Sequence, residues 1–241
     1  MTATQPIIDR SEFTKALNEA LDVNPRSTAV ITIDCHRGHL DPAIATMPVT
    51  RQHAQDVVAT VSRLVRFARG EGIPVIHVIL NNRVLPDGVV EPMHNPFWKT
   101  VEAVNQKLTP ELTSTISGHN LVGSPQTELM PELGPEPNDV VLNTKRRLSV
   151  YRDTDLDLTL QQLKIDTVVL VGINTNTCVQ CAAFESLNRD LKTIVIAEGV
   201  QSMYGDDLHA FALLNISRCL GWVLTLDQFV AKVESRRAAA V

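Results

Sequence analysis

Six short apolar runs constrain this chain more than any other feature: residues 28–33, 74–80, 140–143, 167–171, 193–197 and 222–225. They are rich in Val and Ile and lack the in–out alternation of a half-exposed sheet, so they read as strands buried on both faces. Helical patterns lie between them. Residues 52–69 place Val57, Val61, Leu64, Val65 and Ala68 on one stripe, closed by Gly70 and Gly72. Further helices are expected over 155–163, 178–188, 206–218 and from 227 onward. Strands alternating with helices give a parallel sheet covered on both faces. The expected fold class is α/β, a three-layer α/β/α arrangement around a doubly wound six-stranded parallel sheet. Residues 1–26 read as an N-terminal extension with one short helix over 11–21, and 27–241 as a single domain.

In such folds ligands bind beyond the carboxyl ends of the strands, and three of those ends carry ionisable groups. The run 167–171 is ended by Gly172, and the turn after it leads to Cys178 at the expected start of a helix. A helix N-terminus favours the thiolate, although a buried cysteine also serves as a small hydrophobe. The run 28–33 delivers Asp34, and the run 140–143 delivers Lys145. Alone, the first suits a turn carboxylate and the second a solvated base. Together they put a carboxylate, an ammonium and a thiol at one edge of one sheet.

At this point the chain resembles the isochorismatase-like cysteine hydrolases, the group holding nicotinamidases, N-carbamoylsarcosine amidases, ureidoacrylate and biuret amidohydrolases, and isochorismatases. The resemblance runs from about residue 26 to 230 and is carried by Ile31-Thr32-Ile33-Asp34, by Lys145 followed by Ser149, Tyr151, Thr154 and Leu156, and by Gly172-Ile173-Asn174-Thr175-Asn176-Thr177-Cys178-Val179. It implies an Asp34–Lys145–Cys178 triad, an oxyanion hole from the backbone N–H groups of Asn174 and Cys178, and a cis peptide between Ile173 and Asn174. Most members of that group have Ala where this chain has Asn174. The isochorismatases lack the cysteine, so Cys178 points to a cysteine-dependent amidohydrolase acting on a small amide, ureido or carbamoyl compound. Alternatives are an isochorismatase-type or nicotinamidase-type hydrolase, or a non-catalytic binding module of the same fold.

Nicotinamidases bind a metal after the second strand through an Asp-x-His pair and a further His. The matching stretch here, from Leu80 to Gly88, has no such pair, and His94 and His119 stand isolated in the sequence. The expectation is therefore no metal and no cofactor. Substrate-binding candidates are Arg37, His39, Trp98 and His119, in loops that could reach the crevice, and Tyr151, the aromatic of the second motif. Cys178 and Cys181 form a lone C-x-x-C, too little for a zinc or redox site; Cys181 is expected as a small residue one helical turn below the thiol.

The remaining expectations are coarser. A formal net charge of −5 and no longer basic run than Lys145-Arg146-Arg147 argue against nucleic acid. No stretch approaches a membrane span of ~20 apolar residues. Four cysteines in 241 residues do not make a disulfide framework, and a cytoplasmic location is expected. Residues 81–137 hold eight of the 13 prolines, so this long irregular region is expected to cover the site and to contribute to a homodimer or homotetramer interface.

Overall fold

The structure, a computed structural model, describes residues 7–108 and 115–238. Its centre is one sheet of six parallel strands: β1 (Thr28–Ile33), β2 (Val75–Leu80), β3 (Val140–Lys145), β4 (Thr167–Ile173), β5 (Lys192–Gln201) and β6 (Trp222–Leu224). Their order across the sheet is β3-β2-β1-β4-β5-β6. The chain starts in the middle, builds outward through β2 and β3, then returns to the other side of β1 with β4. The point where the direction reverses lies between β1 and β4, the position at which doubly wound sheets open a crevice.

Every residue of β1 and of β4 is buried, as the unbroken apolar runs require. Two apolar layers flank the sheet. One packs the helix Arg51–Gly70 and the helix Leu226–Ala238 through Val57, Val61, Leu64, Phe229 and Val233. The other packs the helices Leu156–Gln162 and Gln180–Leu187 through Leu156, Leu160, Ala182 and Ala183. Each fully buried aliphatic side chain in these layers contributes roughly 1.5–3 kcal/mol, so the sheet is a rigid base for whatever its loops carry.

Several boundaries differ from those expected, and the differences that matter for the site are near the carboxyl ends of the strands. β3 continues to Lys145 and β4 to Ile173, so those side chains sit on the sheet edge itself. β5 reaches Gln201, beyond the expected end at residue 197. Cys178 does not begin a regular helix: it lies in a π-helical turn, Thr175–Val179, with the α-helix starting at Gln180. The N-terminal helix, Ser11–Ala20, has no buried residue. It is tied to the β6 edge by Asn18 Nδ2 donating to Val223 O and Trp222 Nε1 donating to Leu17 O.

Candidate active site

Two backbone features bring the ends of β1 and β4 together. Asp34 has φ +53°, a left-handed conformation uncommon for a residue with a side chain, and it turns the carboxylate back over the sheet edge. Gly172 has φ +121° and faces β1 so closely that a Cβ there would stand 1.9 Å from Ile33 O. Only glycine allows that approach. The Ile173–Asn174 peptide that follows is cis.

Lys145, Asp34 and Cys178 converge at this edge. Lys145 Nζ donates to Asp34 Oδ2 at 2.5 Å and lies 3.3 Å from Cys178 Sγ. Asp34 Oδ1 accepts the backbone N–H of Leu80 at 2.8 Å, which fixes the carboxylate plane. Lys145 and Asp34 are completely buried and Cys178 nearly so. Burial opposes the Lys145 charge, but Asp34 and Cys178 outweigh it, and the ammonium ends above its ordinary pKa. Burial pushes Cys178 up to about 12, with Lys145 pulling down and Asp34 pushing up. The group at rest is therefore a thiol beside a carboxylate, and a helix-terminal field does not make it a thiolate.

A cavity of about 90 Å³ opens in front of the thiol. Its lining includes Cys178, Asn174, Thr177 and Tyr204, together with His39, His119, Trp98 and the pair Arg146 and Arg147. Of the substrate-binding candidates, His39, Trp98 and His119 line the cavity, whereas Arg37 and Tyr151 do not. Arg37 turns away to pair with Asp41 and Glu128, both at 2.9 Å. Tyr151 is buried against the neighbouring helix, its hydroxyl 2.7 Å from Ser186 Oγ and its ring under the Arg189 guanidinium at 3.9 Å. The pattern that singled out Tyr151 marks a packing position. Cys181 is half-buried, its thiol within 3.8 Å of Glu185 Oε2.

The sequence reading missed Arg146 and Arg147 as cavity residues, although they directly follow Lys145. Arg146 Nη1 donates to Asn81 O and Arg147 Nη2 to Glu91 O. Glu91, 3.8 Å from Arg146, is bound mainly by Arg83, and no carboxylate lines the cavity itself among the described residues. The cavity wall therefore carries more positive than negative charge. Tyr204 and Met47 had no sequence signal at all.

The histidines also require a correction. His119 is not isolated: it is buried with His36 and His39, and one ring nitrogen of each lies within 4.8 Å of the other two. His94 stands apart, 3.3 Å from Asp87. Burial is the main cause that holds His36, His39 and His119 below the usual imidazole range, so all three are neutral near pH 7.

A doubly wound α/β sheet with a buried thiol, carboxylate and ammonium at its reversal point defines the class of α/β proteins whose pocket opens at the carboxyl strand ends. Residues 28–228 match the Isochorismatase domain, and the chain belongs to that family. A ureidoacrylate amidohydrolase, RutB, from Methylobacterium radiotolerans is 29% identical over 215 residues, 88% of this chain and 81% of the relative. The RutB of Methylorubrum extorquens is 30% identical over 223 residues, 89% and 86% of the two chains. Among solved structures, a cysteine hydrolase from Pseudomonas syringae pv. phaseolicola superposes with a TM-score of 0.71 at 22% identity, covering 89% of this chain and 96% of the other. N-carbamoylsarcosine amidase from Thermoplasma acidophilum does so with 0.62 at 22%, covering 83% and 96%. These two show the fold alone.

Proposed function

We propose that this protein is a cysteine-dependent amidohydrolase that cleaves a C–N bond in a small amide, ureido or carbamoyl compound bearing an acidic group. The observation that carries the reading is the contact of Lys145 Nζ with both Asp34 Oδ2 and Cys178 Sγ in a buried site open to one small cavity. The amidohydrolase relatives named above support it.

The chemistry follows from the resting protonation. Asp34 takes the proton of the Cys178 thiol as Sγ bonds to the carbonyl carbon, and Lys145 offsets the negative charge passing between them. The carbonyl π pair moves to oxygen, where the backbone N–H groups of Asn174 and Cys178 receive it. The C–N bond then breaks, and the leaving nitrogen takes the proton from Asp34. Water attacks the resulting thioester with Asp34 again accepting a proton. The S–C bond breaks, the proton returns to sulfur, and a carboxylic or carbamic acid leaves. A thiol held near pKa 12 needs such a base in contact with it.

The cavity volume limits the substrate to a few heavy atoms. Arg146 and Arg147 suit a carboxylate on it, which ureidoacrylate has. His39, Trp98 and His119 would contact its body. A panel of ureido acids, N-carbamoyl amino acids, small amides and neutral ureas, followed by ammonia release, tests the reading. Turnover of acidic members supports it, and no turnover of any C–N compound overturns it.

The reading includes a homodimer or homotetramer in a reducing compartment such as the cytoplasm. The helix Pro96–Leu108 carries exposed Phe97, Val104 and Leu108, an apolar face suited to a second copy. The four cysteines are free thiols, and no helix among the described residues is long and apolar enough to cross a membrane.

A further inference from the structure

The buried histidine cluster has no part in the proton transfers above, yet it is built from separate parts of the chain. His36 caps the one-turn helix Arg37–Leu40 and His39 lies within it, three residues apart on the loop after β1. His119 comes from the long loop after β2. The His36 and His39 rings stack at 4.8 Å, and the His39 and His119 centroids are 4.7 Å apart.

Each ring is anchored by one nitrogen. His39 Nδ1 is 2.6 Å from Met47 O, a bond that requires the proton on Nδ1 and leaves a lone pair on Nε2. His119 Nδ1 is 2.9 Å from Thr46 Oγ1. His36 Nε2 is 2.5 Å from the side-chain amide of Asn120. The remaining nitrogens of His36 and His119, Nδ1 and Nε2, are buried without a partner, as is Asn120 Oδ1. A buried polar atom without a partner costs about 1–3 kcal/mol, so orphans gathered in one place call for a common explanation.

We propose that His36 Nδ1, His39 Nε2 and His119 Nε2 bind a divalent transition-metal ion of the zinc type in the wall of the Cys178 cavity. Three imidazoles with ordered outer partners are a frequent donor set for such ions, and nitrogen donors without carboxylates disfavour magnesium and calcium. His36 and His39 come from the loop after β1, not from the stretch after β2 where the nicotinamidases carry their Asp-x-His pair.

The geometry needs modest closure. Nitrogens around tetrahedral zinc stand roughly 3.3 Å apart, given bonds of about 2.0–2.1 Å, closer than the 4.8 Å within which one nitrogen of each ring lies here, so the rings must draw together. His36 joins with its proton on Nε2, donated to Oδ1 of Asn120 after rotation of that amide. The rotation gives Oδ1 a partner at the cost of the 3.1 Å bond from Asn120 Nδ2 to Leu80 O. Three ligands leave one or two positions open. His39 and His119 line the cavity, so an open position faces the space in which a small molecule would meet Cys178.

Cys178 could itself trap zinc, and the test separates the two sites. Zinc is titrated into metal-free full-length wild-type, Cys178→Ala, His39→Gln and His119→Gln proteins, with bound metal counted by elemental analysis after desalting. The site predicts one zinc per chain in wild-type and Cys178→Ala, and substoichiometric zinc in both histidine variants at unchanged circular dichroism. Thr46→Val, which removes only an outer partner, should weaken binding roughly 10–100-fold. If a histidine variant does not fold, the cobalt(II) spectrum of wild-type decides: ligand-field bands without sulfur-to-metal charge transfer support the histidine site. Metal lost in Cys178→Ala, metal retained in both folded histidine variants, or no stoichiometric metal in wild-type overturns it. None of these readouts depends on amide hydrolysis, so failure of the site and failure of the proposed activity are distinguishable.

Discussion

The ammonium of Lys145 stands 2.5 Å from Oδ2 of Asp34, and neither side chain has any exposure to solvent. Removing one member of a buried pair leaves the other charged and unpaired, which costs about 3–5 kcal/mol. Lys145→Ala should therefore lower unfolding stability by that order in a denaturant titration, besides abolishing turnover. A loss below about 1 kcal/mol would show that water or a neighbour compensates Asp34.

Asp34→Asn keeps the size of the side chain and removes the base. Turnover should fall at least ~10²–10⁴-fold, the usual share of a positioned proton-transfer group. Steady-state kinetics at several pH values checks this. Retention of more than a tenth of the wild-type rate would take Asp34 out of proton transfer.

The thiol gives a pH signature. Burial raises Cys178 from 9.0 to about 12. A group whose pKa is raised on folding stabilises the fold below its unfolded pKa, and that contribution is lost as pH rises through the folded value. The window is therefore between about pH 9 and 12. Iodoacetamide labelling of Cys178 should keep accelerating across that window, and a plateau reached below about pH 8 would mean a thiolate at rest.

At Gly172 the clash is with backbone. Alanine there would place Cβ 1.9 Å from Ile33 O at φ +121°, so β1 and β4 would have to separate. Gly172→Ala should cost more than ~2 kcal/mol and cut activity out of proportion to the surviving folded fraction. An unchanged melting curve would contradict the close approach.

Light scattering reads the assembly. A dimer or tetramer of the 26.5 kDa chain is expected, and Phe97→Ser with Leu108→Ser should shift it toward monomer. A monomer for wild-type at micromolar concentration rejects the interface.

The fold was legible because buried parallel strands have an unbroken apolar signature and their helices a 3.6-residue stripe; Asp34, Lys145 and Cys178 stood out as ionisable groups where such runs end. What escaped was set by tertiary contact. His36 and His39 were visible three residues apart, but His119 joins them only through the path of the long loop. Arg37 and Tyr151 have the chemistry of ligand contacts, and only packing shows that Asp41, Glu128, Ser186 and Arg189 occupy them. The thiol pKa depends on burial by residues distant in sequence, which no local field argument contains.

The central claim is a covalent bond to one sulfur. Ammonia release by Cys178→Ser, measured on whichever substrate the wild-type hydrolyses, tests it most directly. A fall of at least ~10⁴-fold with the fold intact is the predicted result, given what removal of a nucleophile costs. A variant that keeps more than about 1% of wild-type turnover would contradict the thioester mechanism.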